Sequence, residues 1–135
     1  MNLHHVGVAT DDAASLADLY VDLFGASLAH EERFEGMRVA FVDVGGAFLE
    51  LLEPVESEGP IARYLDQQGT GIHHVALATA DVEAALDRAR DLGVDLVDES
   101  PRPGAWDHDV AFLHPGSTGG VLVEFVATGE SAEEA

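Results

Sequence analysis

Cysteine and lysine are both absent from this chain of 135 residues. Without cysteine there is no disulfide framework, no thiol nucleophile and no thiolate metal ligand. Without lysine the basic complement shrinks to six arginines, against 26 acidic residues, for a net charge of −20. So few cations leave no basic patch for phosphate backbones, which argues against nucleic acid as a partner. Long apolar runs are missing too, none approaching the roughly 20 residues of a membrane helix. The N-terminus meets Asp11 and Asp12 early and shows no signal pattern. A cytoplasmic protein with no membrane partner is the expectation. The serines Ser15, Ser27, Ser57, Ser100, Ser117 and Ser131 sit in no nucleophile elbow. The stretch Gly116-Ser117-Thr118-Gly119-Gly120 lacks the Gly-Lys-Ser/Thr ending of a Walker loop. It reads either as a plain turn or as backbone N–H groups approaching a ligand phosphate.

What is present favours a folded core. Apolar residues make up 47% of the chain, enough for a packed interior in one unit or two small modules. Acidic residues are spread along the chain, apart from a short Glu-rich tail from Glu130. That distribution points to a halophilic surface, solvated in concentrated salt where counter-ions screen self-repulsion. An acidic face for a partner is the alternative.

A repeat organises the chain. His4-His5-Val6-Gly7-Val8-Ala9-Thr10 returns as His73-His74-Val75-Ala76-Leu77-Ala78-Thr79, and Asp12 returns as Asp81 at the same offset, 74 − 5 = 69 residues. Each copy continues into a helical pattern that stops at glycine. Leu16, Leu19, Tyr20 and Leu23 precede Gly25, and Val82, Ala85, Leu86 and Ala89 precede Gly93. Asp12 and Asp81 stand where a carboxylate caps free helix N–H groups. Strand-like runs follow at Ser27–Glu31, Arg38–Val44 and Ala47–Leu52, then at Asp95–Glu99, Val110–His114 and Gly120–Val126. Gly45-Gly46 marks a hairpin and Pro115–Gly120 a longer turn. The expected fold class is α+β, two βαβββ modules forming a curved mixed sheet around one metal-binding cleft. Residues 1–54 form the first module and 72–128 the second. Residues 55–71 link them through a short helix at Ile61–Gln67, and 129–135 form a frayed acidic tail.

The repeat duplicates potential ligands. His5 and His74 hold the same place on the first strand of each copy, and Glu50 and Glu124 sit in apolar surroundings on each last strand. A carboxylate among buried strand residues is costly unless paired or bound to metal. Any one of these residues alone reads as an ordinary strand side chain. Two His and two Glu at repeat-related places form a nitrogen-and-oxygen donor set for a divalent cation, with two positions left open. His4, His73 and Glu53 point to the opposite face and take structural roles, with outer support of the ligands open to the two histidines.

Two strand–helix–three-strand modules with these His and Glu positions resemble the vicinal oxygen chelate superfamily. From Leu3 to about Val126 the wording resembles its methylmalonyl-CoA epimerase family. The matching stretches are His5-Val6-Gly7-Val8-Ala9, Glu50-Leu51-Leu52-Glu53-Pro54, Pro60-Ile61-Ala62-Arg63-Tyr64-Leu65 and Gly71-Ile72-His73-His74-Val75-Ala76. Two more are Asp98-Glu99-Ser100-Pro101-Arg102-Pro103-Gly104 and the most specific stretch, Ala111 to Glu124. The resemblance implies one divalent metal ion (cobalt, manganese, nickel or zinc) on His5, Glu50, His74 and Glu124. It implies inversion at C2 of an acyl-CoA substrate, which needs a base on each face of that carbon; the symmetry of the repeat suits Glu50 and Glu124 to be those proton-moving groups. Glu35 and Asp43 are the alternatives for the second base. Substrate contacts are expected at Arg63, Arg102, Ser117, Thr118 and Gly119, and the protein is expected to be a homodimer. Where members commonly have Lys this chain has Gly116, and their glycine-rich run reads Ala105-Trp106-Asp107-His108-Asp109 here. Some members, as aligned, carry Glu in place of Val39 and Gln in place of Glu50. A glyoxalase I-like isomerase (lactoylglutathione lyase type), an iron dioxygenase and a non-catalytic small-molecule-binding resistance protein of the same fold are the competing readings.

Overall fold

The structure is a computed structural model and describes residues 1–128, so the acidic tail expected at 129–135 lies outside the described residues. In chain order the elements are β1 (Asn2–Ala9), α1 (Ala13–Phe24), β2 (Ser27–Phe34), β3 (Met37–Asp43), β4 (Phe48–Pro54) and α2 (Pro60–Gln68). They continue with β5 (Gly71–Thr79), α3 (Val82–Asp91), β6 (Arg102–Pro103), β7 (Asp109–Leu113) and β8 (Val123–Ala127). Strand–helix–three strands therefore occurs twice, an α+β arrangement that the sequence repeat predicts. The chain forms two compact units, one of His5–His73 and one of Met1–His4 with the described residues from His74 onward. No helix among the described residues is long and apolar enough to cross a membrane.

In the first unit the strands run in the order β2-β3-β4-β1, with β1 parallel to β4 and the other pairs antiparallel. Asp12 opens α1 by accepting the Ser15 N–H at 3.0 Å, and Glu53 accepts the Ala13 N–H at 2.9 Å. Two carboxylates thus satisfy donors that the helix cannot. Gly25 closes the helix in the left-handed region that glycine adopts without steric cost (φ 64). The buried stripe of α1 differs from expectation. Ala13 and Ala17 are buried, with Leu16, Tyr20 and Val21 packed beside them against Val8, Ala40, Val42 and Leu51. Leu19 and Leu23 remain 53% and 64% exposed. The small alanines set the contact line, and the helix lies on them rather than on its bulkier leucines.

The second unit orders its strands β5-β8-β7-β6, again with the first and last strands of the module parallel. Asp81 caps α3 through the Ala84 N–H at 3.0 Å, and Val82, Ala85, Leu86 and Ala89 are all buried against Ala111, Leu113 and Phe125. The expected strand Asp95–Glu99 reduces to one bridge between Leu96 and Leu113. Both Val97 and Asp98 donate their N–H to the Phe112 carbonyl, and the Phe112 N–H goes to the Asp98 carboxylate at 2.9 Å. A side chain takes the place of a ladder bond, and Pro101 and Pro103 lack the donors to extend one. Only Arg102 and Pro103 pair with β7. Gly120–Leu122 likewise stays in the turn before β8, where the Gly120 N–H bonds the Pro115 carbonyl at 2.8 Å.

Candidate metal centre

Strand register decides which side chains meet. In the first unit Gly7 pairs with Glu50, and His5 lies two residues upstream on the same face. In the second, Ala76 pairs with Glu124, and His74 again lies two residues upstream. A residue as small as Gly or Ala at the paired position leaves room for the carboxylate beside the imidazole. The outcome is the same pair twice, His5 Nε2 to Glu50 Oε1 at 3.1 Å and His74 Nε2 to Glu124 Oε1 at 3.2 Å. The four residues are 3–6% exposed. Ionised groups this deep cost several kcal/mol (roughly) unless compensated. Imidazole nitrogen with carboxylate oxygen is a donor set suited to a divalent cation, so the residues fit one. Each pair by itself offers one imidazole nitrogen and one carboxylate oxygen as candidate ligands.

The next strand in each unit adds a phenylalanine. Phe41 pairs with Glu50 and Phe112 with Glu124. Their rings meet the imidazoles edge to face, at 5.7 Å from His5 and 5.5 Å from His74. Sequence reasoning missed both, although the tripeptide Val-Ala-Phe at 39–41 and 110–112 carries the signal. The outermost strands then differ. His30 pairs with Phe41, packs its ring 6.1 Å from it and lies 2.6 Å from Glu32 Oε1. Arg102, two residues along the same face from Phe112's row, holds its guanidinium carbon 5.5 Å from the Phe112 centroid. The His30–Glu32 pair was also missed. Its signal was the alternation of His30, Glu32 and Phe34 along β2.

The remaining expected site residues are spread more widely. Arg63 is exposed on α2 and makes no ion pair among the described residues. Ser117 Oγ accepts the Asp95 N–H at 3.0 Å, and Thr118 Oγ1 donates to the Val121 carbonyl at 2.8 Å. Both hydroxyls therefore shape the turn, and Gly119 supplies its left-handed corner (φ 73). Glu35 occupies the exposed β2–β3 turn, and the Asp43 carboxylate holds the Gly45 N–H at 2.8 Å. His4 packs edge-on against His108, and His73 against Tyr64. Trp106 and Asp107 adopt φ of 60 and 58. The chain thus keeps left-handed backbone without glycine there, at a cost of about 1–3 kcal/mol per residue.

Residues 4–112 match the Glyoxalase/Bleomycin resistance protein/Dioxygenase superfamily. The chain belongs to this superfamily. An uncharacterised protein of Bacillus subtilis is 35% identical over 90% of the chain and 89% of its own length. A mitochondrial methylmalonyl-CoA epimerase of Dictyostelium discoideum is 35% identical over 90% of the chain and 75% of its own length. A solved variant of Streptomyces coelicolor methylmalonyl-CoA epimerase, in complex with 2-nitronate-propionyl-CoA, superposes with a TM-score of 0.88. It is 34% identical and covers 95% of this chain and 94% of its own.

Proposed function

We propose that the chain is a methylmalonyl-CoA epimerase that interconverts the (R) and (S) forms of its acyl-CoA substrate at C2. The observation that carries this reading is the duplicated buried His–Glu pair, in a chain about one-third identical to epimerases over most of its length. His5, Glu50, His74 and Glu124 would hold one divalent metal ion (cobalt, manganese, nickel or zinc). A cation there would supply electrophilic stabilisation of negative charge developing on a substrate oxygen.

C2 lies between a thioester and a carboxylate, so its proton is already acidified. One glutamate removes that proton as general base, and the glutamic acid of the other repeat returns a proton to the opposite face. Equivalent repeat positions suit Glu50 and Glu124 to these two roles. Each carboxylate sits beside an imidazole that meets a phenylalanine ring edge to face, and the buried imidazole orients it. Arg63, Arg102, Ser117, Thr118 and Gly119 are assigned to substrate contacts. The oligomer is proposed to be a homodimer, for which exposed Leu19, Leu23, Phe24 and Leu28 offer apolar area. Sedimentation in molar salt tests that.

The deciding experiment is incubation with methylmalonyl-CoA in deuterium oxide and molar potassium chloride, with and without divalent metal. Metal-dependent deuterium entry at C2 is expected. No entry under either condition overturns the reading in favour of a glyoxalase-type isomerase or a binding protein.

A further inference from the structure

Arg102 stands out among the six arginines because its surroundings aim it at the ligand face. Register places Arg102 opposite Val110, Val110 opposite Val126, and Phe112 opposite Glu124. Residues paired directly, and those two apart on one strand, share a face. Arg102, Phe112, Glu124 and His74 therefore line one side of the second unit. Two contacts of 5.5 Å each, guanidinium to Phe112 and Phe112 to His74, connect the cation to the metal-ligand pair.

Asp98 fixes the guanidinium. Its Oδ1 accepts from Arg102 Nε at 3.0 Å while its Oδ2 accepts the Phe112 N–H at 2.9 Å. The Asp98 side chain is 16% exposed and that of Arg102 42% exposed. The Nη1 and Nη2 groups make no hydrogen bond among the described residues. They present paired N–H donors of the kind that grips two oxygens of one anion.

We infer that Arg102, positioned by Asp98, binds the acyl carboxylate of the substrate and selects for carboxylated acyl-CoA. The inference rests on the acyl-CoA reading above and deepens it. The carboxylate is bonded directly to C2 and so belongs beside the ligand set, whereas the CoA phosphates lie a pantetheine arm away. Asp98 is a positioning residue that acts through Arg102.

Calorimetric dissociation constants for methylmalonyl-CoA and propionyl-CoA test this on the metal-loaded protein in molar salt. Propionyl-CoA keeps the thioester and nucleotide but lacks the carboxylate. Arg102→Gln is expected to weaken methylmalonyl-CoA about 30-fold, the scale of a lost charged hydrogen-bond pair, and to leave propionyl-CoA within about two-fold. Asp98→Asn is expected to weaken methylmalonyl-CoA alone, by a smaller factor, where a merely structural Asp98 would weaken both ligands alike. Equal weakening of the two ligands by Arg102→Gln assigns Arg102 to a phosphate and overturns the inference; so does no change in either. A wild type that discriminates the ligands through Arg102 yet exchanges no C2 proton refutes the epimerase reading alone. A wild type that binds neither ligand refutes both.

Discussion

The two units build the same three inner strands and then part company at the outer one. On β1, β4 and β3 the first unit places His5, Glu50 and Phe41; on β5, β8 and β7 the second places His74, Glu124 and Phe112. The His-to-Glu distances agree to 0.1 Å, 3.1 against 3.2 Å. The outer strands share neither length nor chemistry. β2 runs for 8 residues and sets the His30–Glu32 pair against Phe41. β6 has 2 residues and sets Arg102 against Phe112, held by an aspartate from an irregular segment. The His, Glu and Phe positions are the same in both repeats, and the difference falls on the outermost strand. A metal site tolerates little displacement of its ligands, while an edge strand with one free side accepts length and charge changes cheaply.

The largest expected effects break the equivalence of the glutamates. Glu50→Gln keeps a coordinating oxygen but loses the base, so epimerisation should fall by about 10²–10⁴-fold with metal content retained by elemental analysis. Deuterium exchange at C2 of a single epimer should survive in that variant through Glu124, and Glu124→Gln should spare the other epimer. Epimerisation by Glu50→Gln at the wild-type rate would sink the two-base scheme.

Next come the imidazoles. His5→Ala and His74→Ala should each lower metal content, and the loss should be comparable because the two pairs share one geometry. Full metal content in either variant, with circular dichroism unchanged, would remove that histidine from the ligand set. Metal content of the unmodified protein should also drop on acidification, because ligation needs neutral imidazole.

Salt acts on both units together. With net charge −20 and no lysine, the melting temperature should rise by on the order of 10 °C between dilute buffer and molar potassium chloride. A flat profile would assign the acidic surface to a partner.

The smallest effect sharpens the comparison at the helix starts. Asp81→Ala should cost about 1 kcal/mol, the usual value for an N-cap. Asp12→Ala should cost less, since Glu53 still holds the Ala13 N–H of α1. Denaturant melts of the two variants, giving equal or reversed losses, would show that Glu53 does not share the capping.

Much of this was legible in the residues because it is local or repeated. The offset of 69 residues exposes the two modules, and their matched His and Glu positions follow from it. Asp12 and Asp81 announce their helices because a cap acts within three residues, and the glycine pairs announce their turns. The illegible parts depended on partners distant in the chain. Asp95–Glu99 carries Leu96 and Val97 like a short strand, yet the Asp98 carboxylate binds the Phe112 N–H and ends the ladder. In α1 two apolar stripes overlap, and only contact with Val42 and Leu51 selects the alanine-bearing one.

By itself, then, the sequence determined the duplicated modules, the helix caps, the four metal-ligand candidates and an acidic surface without lysine. Each is written in nearest-neighbour chemistry, periodicity or composition. Tertiary structure alone decided that Phe41 and Phe112 stand against the imidazoles, that His30 meets Glu32 on one edge, and that Arg102 turns toward the ligand face on the other. Alternation tells that a strand has two faces, and only the register with a distant strand tells which residues share one.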